Sequence, residues 1–153
     1  MPGRQIFLYA EDADSDVYLV RKAIAKAALA IQLQNVRDGE ELIGYLEGKG
    51  VFSSRERYPI PTLLLLDLKM PKKDGFEVLN WVRQQPHLKR MIVIVFTASP
   101  RQEDVDRSHE LGANAVFAKP GSLVDLVGTL EQIHAWLSLT RQPQIDPTSP
   151  SRI

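Results

Sequence analysis

Leu63-Leu64-Leu65-Leu66-Asp67 is the most apolar stretch of the chain, and it ends in a carboxylate. A charge closing a leucine run is costly unless it emerges at an edge or meets a cation. The residues that follow, Leu68-Lys69-Met70-Pro71-Lys72-Lys73-Asp74-Gly75, read as a turn. Asp67 is therefore expected as the last residue of a buried strand, held where a sheet meets solvent. In open α/β sheets ligands bind at that edge.

On both sides of this run, short apolar segments alternate with helical patterns. Ile6 to Ala10 reads as a first strand. Asp14 or Ser15 is expected to cap a helix from Asp16 to Leu29, with Val17, Val20, Ile24 and Ala27 along one face. Ile31, Leu33 and Val36 mark a second strand. Asp38-Gly39 reads as a turn, and Leu42, Ile43 and Leu46 line a second helix. Gly48 to Pro61 is a long connection whose Arg55-Glu56-Arg57 predicts an exposed loop. The third helix is expected over Gly75 to Gln85, with Phe76, Leu79 and Val82 inward, stopping before Pro86. Met91 to Phe96 predicts a strand covered on both faces. Pro100 suits the first turn of a fourth helix that ends at Gly112. Ala115 to Ala118 is a fifth strand, and Ser122 caps a fifth helix. Five alternating strand–helix units predict a doubly wound α/β fold, flavodoxin-like, with parallel order 2-1-3-4-5. Residues 5–139 form that domain, and residues 140–153, with three Pro and two Ser, are expected to be disordered.

Composition narrows the function classes. Nineteen basic residues balance nineteen acidic ones, so no basic excess argues for nucleic acid. The chain has no cysteine, which excludes disulfides, thiol catalysis and cysteine metal sites. No signal-peptide core is present, and no apolar stretch approaches the roughly 20 residues that span a bilayer. A cytoplasmic protein is expected.

Four sites fall at carboxyl ends of the expected strands: Glu11-Asp12, Asp67, Thr97-Ala98 and Lys119-Pro120. In the expected strand order they converge. Clustered carboxylates repel, and oxygen ligands with water favour Mg²⁺ as compensation. Lys119 adds a fixed positive charge and Thr97 a hydroxyl donor. That set suits a phosphoryl group. Ala98 is small and leaves access. Singly, each residue has an ordinary alternative: Asp67 as a turn former, Glu11-Asp12 as a helix cap, Lys119 as a surface lysine. Their joint occurrence at consecutive strand ends is what argues for function.

These residues, with Leu66 to Gly75, fall in the order and spacing of a response-regulator receiver domain of two-component signalling, which the chain resembles from Gln5 to Leu139. The loop before the third strand and Gln85-Pro86-His87-Leu88-Lys89-Arg90 further resemble single-domain regulators that partner bacterial phytochrome kinases. The resemblance implies that Asp67 is the phosphoacceptor. Asp12 would ligate Mg²⁺ directly, Glu11 through water, and Lys69 through its carbonyl. Thr97 would move onto the phosphoryl group, Lys119 would pair with it, and the Lys119-Pro120 bond would be cis. Where many relatives carry an aromatic ring three residues before the lysine, this chain has Val116. Its neighbour Phe117 faces the other side of the strand. Lys69 and Ser99 stand at positions that tune phosphoryl lifetime in the family. Lys69 either approaches the phosphate or contributes only its carbonyl.

The implied function is a switch, not an enzyme beyond its own phosphorylation and dephosphorylation. By the resemblance, a sensor histidine kinase of the phytochrome type would load Asp67, and the signal would leave through a protein partner, phosphotransfer or dimerisation. Helix four, strand five and helix five form the expected output face, with Phe117, Trp136 and Leu137 as candidate interface residues. Trp136 alternatively covers the sheet. The competing class is a phosphorylation-independent adaptor with a receiver fold. A metal-dependent phosphohydrolase is disfavoured, because no second Asp follows Asp67 closely enough to act as its acid/base.

Overall fold

A computed structural model describes residues 4–139. The tail expected to be disordered, 140–153, lies outside the described residues. The strands are β1 (Gln5–Ala10), β2 (Ile31–Val36), β3 (Leu63–Leu66), β4 (Ile92–Thr97) and β5 (Ala115–Ala118). The helices are α1 (Asp14–Lys26), α2 (Gly39–Glu47), α3 (Gly75–Gln84), α4 (Gln102–Glu110) and α5 (Leu123–Leu139). All strand pairs are parallel, in the order β2-β1-β3-β4-β5. The chain leaves β1 toward β2, then returns across it to β3. That reversal opens a crevice above the carboxyl ends of β1 and β3.

The two-residue repeat of a strand sends successive side chains to opposite faces. Phe7, Tyr9, Leu63, Leu65, Ile94 and Phe96 go to one layer and meet α1 and α5. Leu8, Ala10, Leu64, Leu66, Val93 and Val95 go to the other and meet α2 and α3. Every residue of β3 and β4 is buried. At about 25 cal/mol per Å² of apolar surface, such a strand resists any movement out of the sheet.

Several local expectations are corrected. The cap of α1 is Ala13, without a side-chain bond, and Asp14 is already helical. The Glu11 carboxylate accepts the Ala13 N–H at 3.0 Å, and Arg37 pairs with Asp14. The helix ends at Lys26, because Ala28 turns left-handed (φ 50°) and the Leu29 N–H returns to the Ile24 carbonyl. Asp38 is the cap of α2, accepting the Glu41 N–H at 2.8 Å, where a free turn was expected. In α3 the buried side chains are Val78, Leu79 and Val82; Phe76 is only half-buried, with the Arg107 guanidinium 4.2 Å from its ring centre. Pro100 precedes α4, and Arg101 takes the cap position.

The long connection before β3 is packed rather than simply exposed. Phe52 and Tyr58 lie against Tyr45, with ring centres 5.3 and 5.9 Å away. Arg55 donates to the carbonyls of Tyr45, Leu46 and Tyr58. A cation at the carbonyl end of α2 is favourable, which is why this arginine folds inward.

Candidate functional site

The carboxyl ends of four strands deliver the site. Glu11 follows β1, Asp67 follows β3, Thr97 ends β4 and Lys119 follows β5. Main-chain bonds fix the frame: the Asp67 N–H donates to Ala10 O and the Lys119 N–H to Thr97 O, at 3.2 and 2.9 Å. The chain must then turn back tightly. Gly75 allows it, since a Cβ there would lie 2.7 Å from the Asp67 carbonyl oxygen.

Asp67 is 6 % exposed, and both its oxygens are held. Oδ1 accepts the Thr97 hydroxyl at 2.8 Å and the Lys69 N–H at 3.1 Å. Oδ2 accepts the Lys119 ammonium at 3.0 Å. Lys119 also pairs with Glu11, and with Asp16 at 2.8 Å. Glu11 is 2 % exposed, with the Tyr9 hydroxyl 3.5 Å from its Oε1. A buried carboxylate is tolerable only when paired and hydrogen-bonded, and these are.

The same contacts divide the protonation states. Burial, and then the neighbouring Asp67, lift the Glu11 carboxyl to about 7, against the opposing pull of Lys119. Burial also acts to raise Asp67, but Glu11, Thr97, the Lys69 N–H and Lys119 outweigh it and hold Asp67 below the usual carboxylate range. Lys119 is pushed upward: burial opposes its charge, and the bonds from Asp16, Glu11 and Asp67 overcome that. Asp67 is thus an anion beside a permanent cation.

Of the residues singled out in the sequence, Glu11, Asp67, Thr97 and Lys119 come together. Asp12 is half-buried, and its carbonyl accepts Arg37 Nη2 at 2.9 Å, outside this cluster. Lys69 reaches Asp67 through its main chain, and its side chain is exposed. Ala98 and Ser99 line the exposed loop after β4, and Ser99 is left-handed (φ 44°). Val116 packs with the α2–α3 layer and Phe117 with the α1–α5 layer, on opposite faces. Trp136 is 43 % exposed, but Leu137, at 2 %, belongs to the core and is withdrawn as an interface residue. It continues the stripe of Leu126, Leu130 and Ile133. The expected cis bond is also corrected. Every peptide bond among the described residues is trans, Lys119-Pro120 included; trans is the favoured isomer even before proline.

Asp16 was missed. Its signal was its place one helical turn before buried Val20, on the face of α1 that meets the sheet. Among the described residues no group of three or more acidic or histidine side chains is gathered as a metal cage. Glu11, Asp16 and Asp67 converge on an ammonium instead. The oxygens of Glu11, Asp12 and Asp67 are nonetheless the hard donors that a small divalent cation prefers.

Comparison with known proteins agrees with this fold. Residues 7–131 match the family model described as response regulator receiver domain. Response regulator Rcp1 of Synechocystis is 36 % identical over 140 residues, 91 % of this chain and 93 % of that protein. Its Mn²⁺-bound crystal structure superposes with a TM-score of 0.78, covering 92 % of this chain and 99 % of that one. The phosphorylated cyanobacterial phytochrome response regulator RcpA is 33 % identical, with a TM-score of 0.83 over 93 % of this chain and all of that one. RPA3017, a response regulator in red light signalling of R. palustris, is 30 % identical, with a TM-score of 0.86 over 92 % and 99 %. With its strand order, its strand-end cluster and these matches, the chain belongs to the response regulator receiver domain family.

Proposed function

We propose that this protein is a phosphoacceptor switch, loaded on Asp67 by a sensor histidine kinase. The observation that carries this reading is the Asp67 carboxylate, ionised and held between the Thr97 hydroxyl and the Lys119 ammonium. A carboxylate oxygen of Asp67 forms the new O–P bond as the N–P bond of a phosphohistidine breaks. The bonding pair returns to the imidazole of the donor. Lys119 meets the charge on the phosphoryl oxygens, and Thr97 supplies a donor to one of them. Mg²⁺, held by the carboxylates of Asp12 and Asp67 and the Lys69 carbonyl, with Glu11 acting through water, would neutralise the same oxygens.

Phosphorylation breaks the bond pattern that holds Thr97 to Asp67 at rest. Thr97 then follows the phosphoryl group and draws the loop through Ala98 and Ser99 with it. Helix α4 is the element best placed to respond, because Ser108 is its only buried residue. The face formed by α4, β5 and α5 then changes its preference for a protein partner, a phosphotransfer partner or a second copy. Phe117 and the exposed Trp136 lie on that face. Val116 stands where an aromatic ring often couples site to face, so here Thr97 carries the coupling alone. The likeness to Rcp1, RcpA and RPA3017 supports a phytochrome-type kinase as donor. Residues 5–139 are the working domain, in the cytoplasm. Among the described residues no helix is long and apolar enough to cross a membrane.

Intact-mass measurement after incubation with Mg²⁺ and acetyl phosphate tests the reading. Wild type gains one phosphoryl group and Asp67→Asn gains none. An unmodified wild type, or an equal adduct on the variant, refutes it and leaves the phosphorylation-independent adaptor.

A further inference from the structure

An ammonium has three N–H donors, and on Lys119 three carboxylates take them: Glu11, Asp67 at 3.0 Å and Asp16 at 2.8 Å. Glu11 and Asp67 stand at strand ends, with side chains 2 % and 8 % exposed. Asp16 is different. It is carried by α1, its side chain is 35 % exposed, and no residue role derived above requires it. The packing of Val17 and Val20 onto the sheet holds this carboxylate over the lysine.

We propose that Asp16 is a positioning residue that competes with a phosphoryl group on Asp67 for the Lys119 ammonium, and so limits how tightly the loaded state is held. The inference rests on the phosphoacceptor reading and adds a residue to it. Two effects act with the same sign. The ammonium is fully subscribed at rest, so a phosphoryl oxygen gains a donor only when a carboxylate releases one. Asp16 is the carboxylate whose release costs least, because water can solvate it in place of the lysine. Loading Asp67 also increases the negative charge beside Lys119. Asp16 and the group on Asp67 share one nitrogen as neighbour, so they repel more after loading than before. Removing the Asp16 charge therefore favours the loaded state.

A merely structural Asp16 would do something else. It lies in the acidic first turn of α1, where its loss would weaken the helix end without changing affinity for a phosphoryl mimic. Titration of the full chain with beryllium fluoride in excess Mg²⁺, followed by fluorine NMR, separates the two. Asp16→Asn and Asp16→Ala are expected to bind about tenfold more tightly than wild type, or about 1.4 kcal/mol. Asp16→Glu, which restores the charge, stays near wild type. Melting curves establish that each variant is folded, and either neutral variant suffices if the other is not. Equal or weaker binding by a folded neutral variant, with wild type binding normally, overturns the role of Asp16 alone. A wild type that takes no beryllium fluoride overturns the phosphoacceptor reading and this inference with it.

Discussion

Helices α3 and α4 follow neighbouring strands, yet they are held in different ways. Helix α3 has a capping box between Asp74 and Glu77 and buries Val78, Leu79 and Val82. Helix α4 also has its N3 carboxylate, Asp104, on the cap N–H of Arg101, but it buries only Ser108, whose hydroxyl is spent on the Asp104 carbonyl. One helix is anchored by apolar area, the other mainly by its ends and by the contact of Arg107 with Phe76. Local stability follows buried apolar contact. Asp67, the proposed phosphoacceptor, therefore sits beside a rigid element and Thr97 leads into a yielding one. A switch needs both: a fixed point at which charge is added, and a segment whose position is cheaply revised.

Substitutions can break this contrast, and the largest effect belongs to α3. Leu79→Ala should cost about 2–5 kcal/mol in urea unfolding, as a fully buried leucine does. Gly75→Ala, whose Cβ must displace main chain at Asp67, should cost about 1–3 kcal/mol and also slow phosphorylation by acetyl phosphate. If it leaves both unchanged, the tight return after Asp67 is not what positions that carboxylate.

Next in size is a pH effect at the site. Glu11, lifted to about 7, keeps its proton below that pH and, in the proposed Mg²⁺ site, must lose it before it can help hold the cation. Apparent Mg²⁺ affinity should therefore rise about tenfold between pH 6 and 8, and Glu11→Gln should flatten the profile. The same shift has a stability consequence of opposite direction. Between the ordinary value of 4.5 and about 7 the folded chain holds a proton that the unfolded chain releases, so stability without metal falls as pH rises. The smallest effect belongs to α4. Arg107→Ala should cost about 0.5–1 kcal/mol of stability, while amide exchange in α4 accelerates and that in α3 does not.

Most of the architecture was legible in the sequence because β3 and β4 are uninterrupted apolar runs closed by Pro, Gly or a charged residue. The four strand-end residues were legible for the same reason: in a parallel sheet, consecutive carboxyl ends share an edge. What escaped reading depends on third parties. Leu137 stands beside Trp136 in sequence, but its spacing from Leu126, Leu130 and Ile133 puts it in the core. The end of α1 was misplaced because Ala28 adopts a left-handed conformation usually left to glycine. Asp16 is not readily legible from sequence, because an acid in a first helical turn ordinarily complements the helix dipole. Arg55 was read as surface charge, and only the carbonyl end of α2 explains why it turns inward.

The alternation of strand side chains also sets how changes in this chain combine. Leu64 and Leu65 are adjacent in sequence, but one packs under α2 and α3 and the other under α1 and α5. Among the described residues the two layers share a sheet but form separate hydrophobic clusters, so their energetic effects should be largely separable, whereas pairs within a layer interact. Evolution or design can therefore repack one half of this protein as an independent unit while the other half holds the strand ends still.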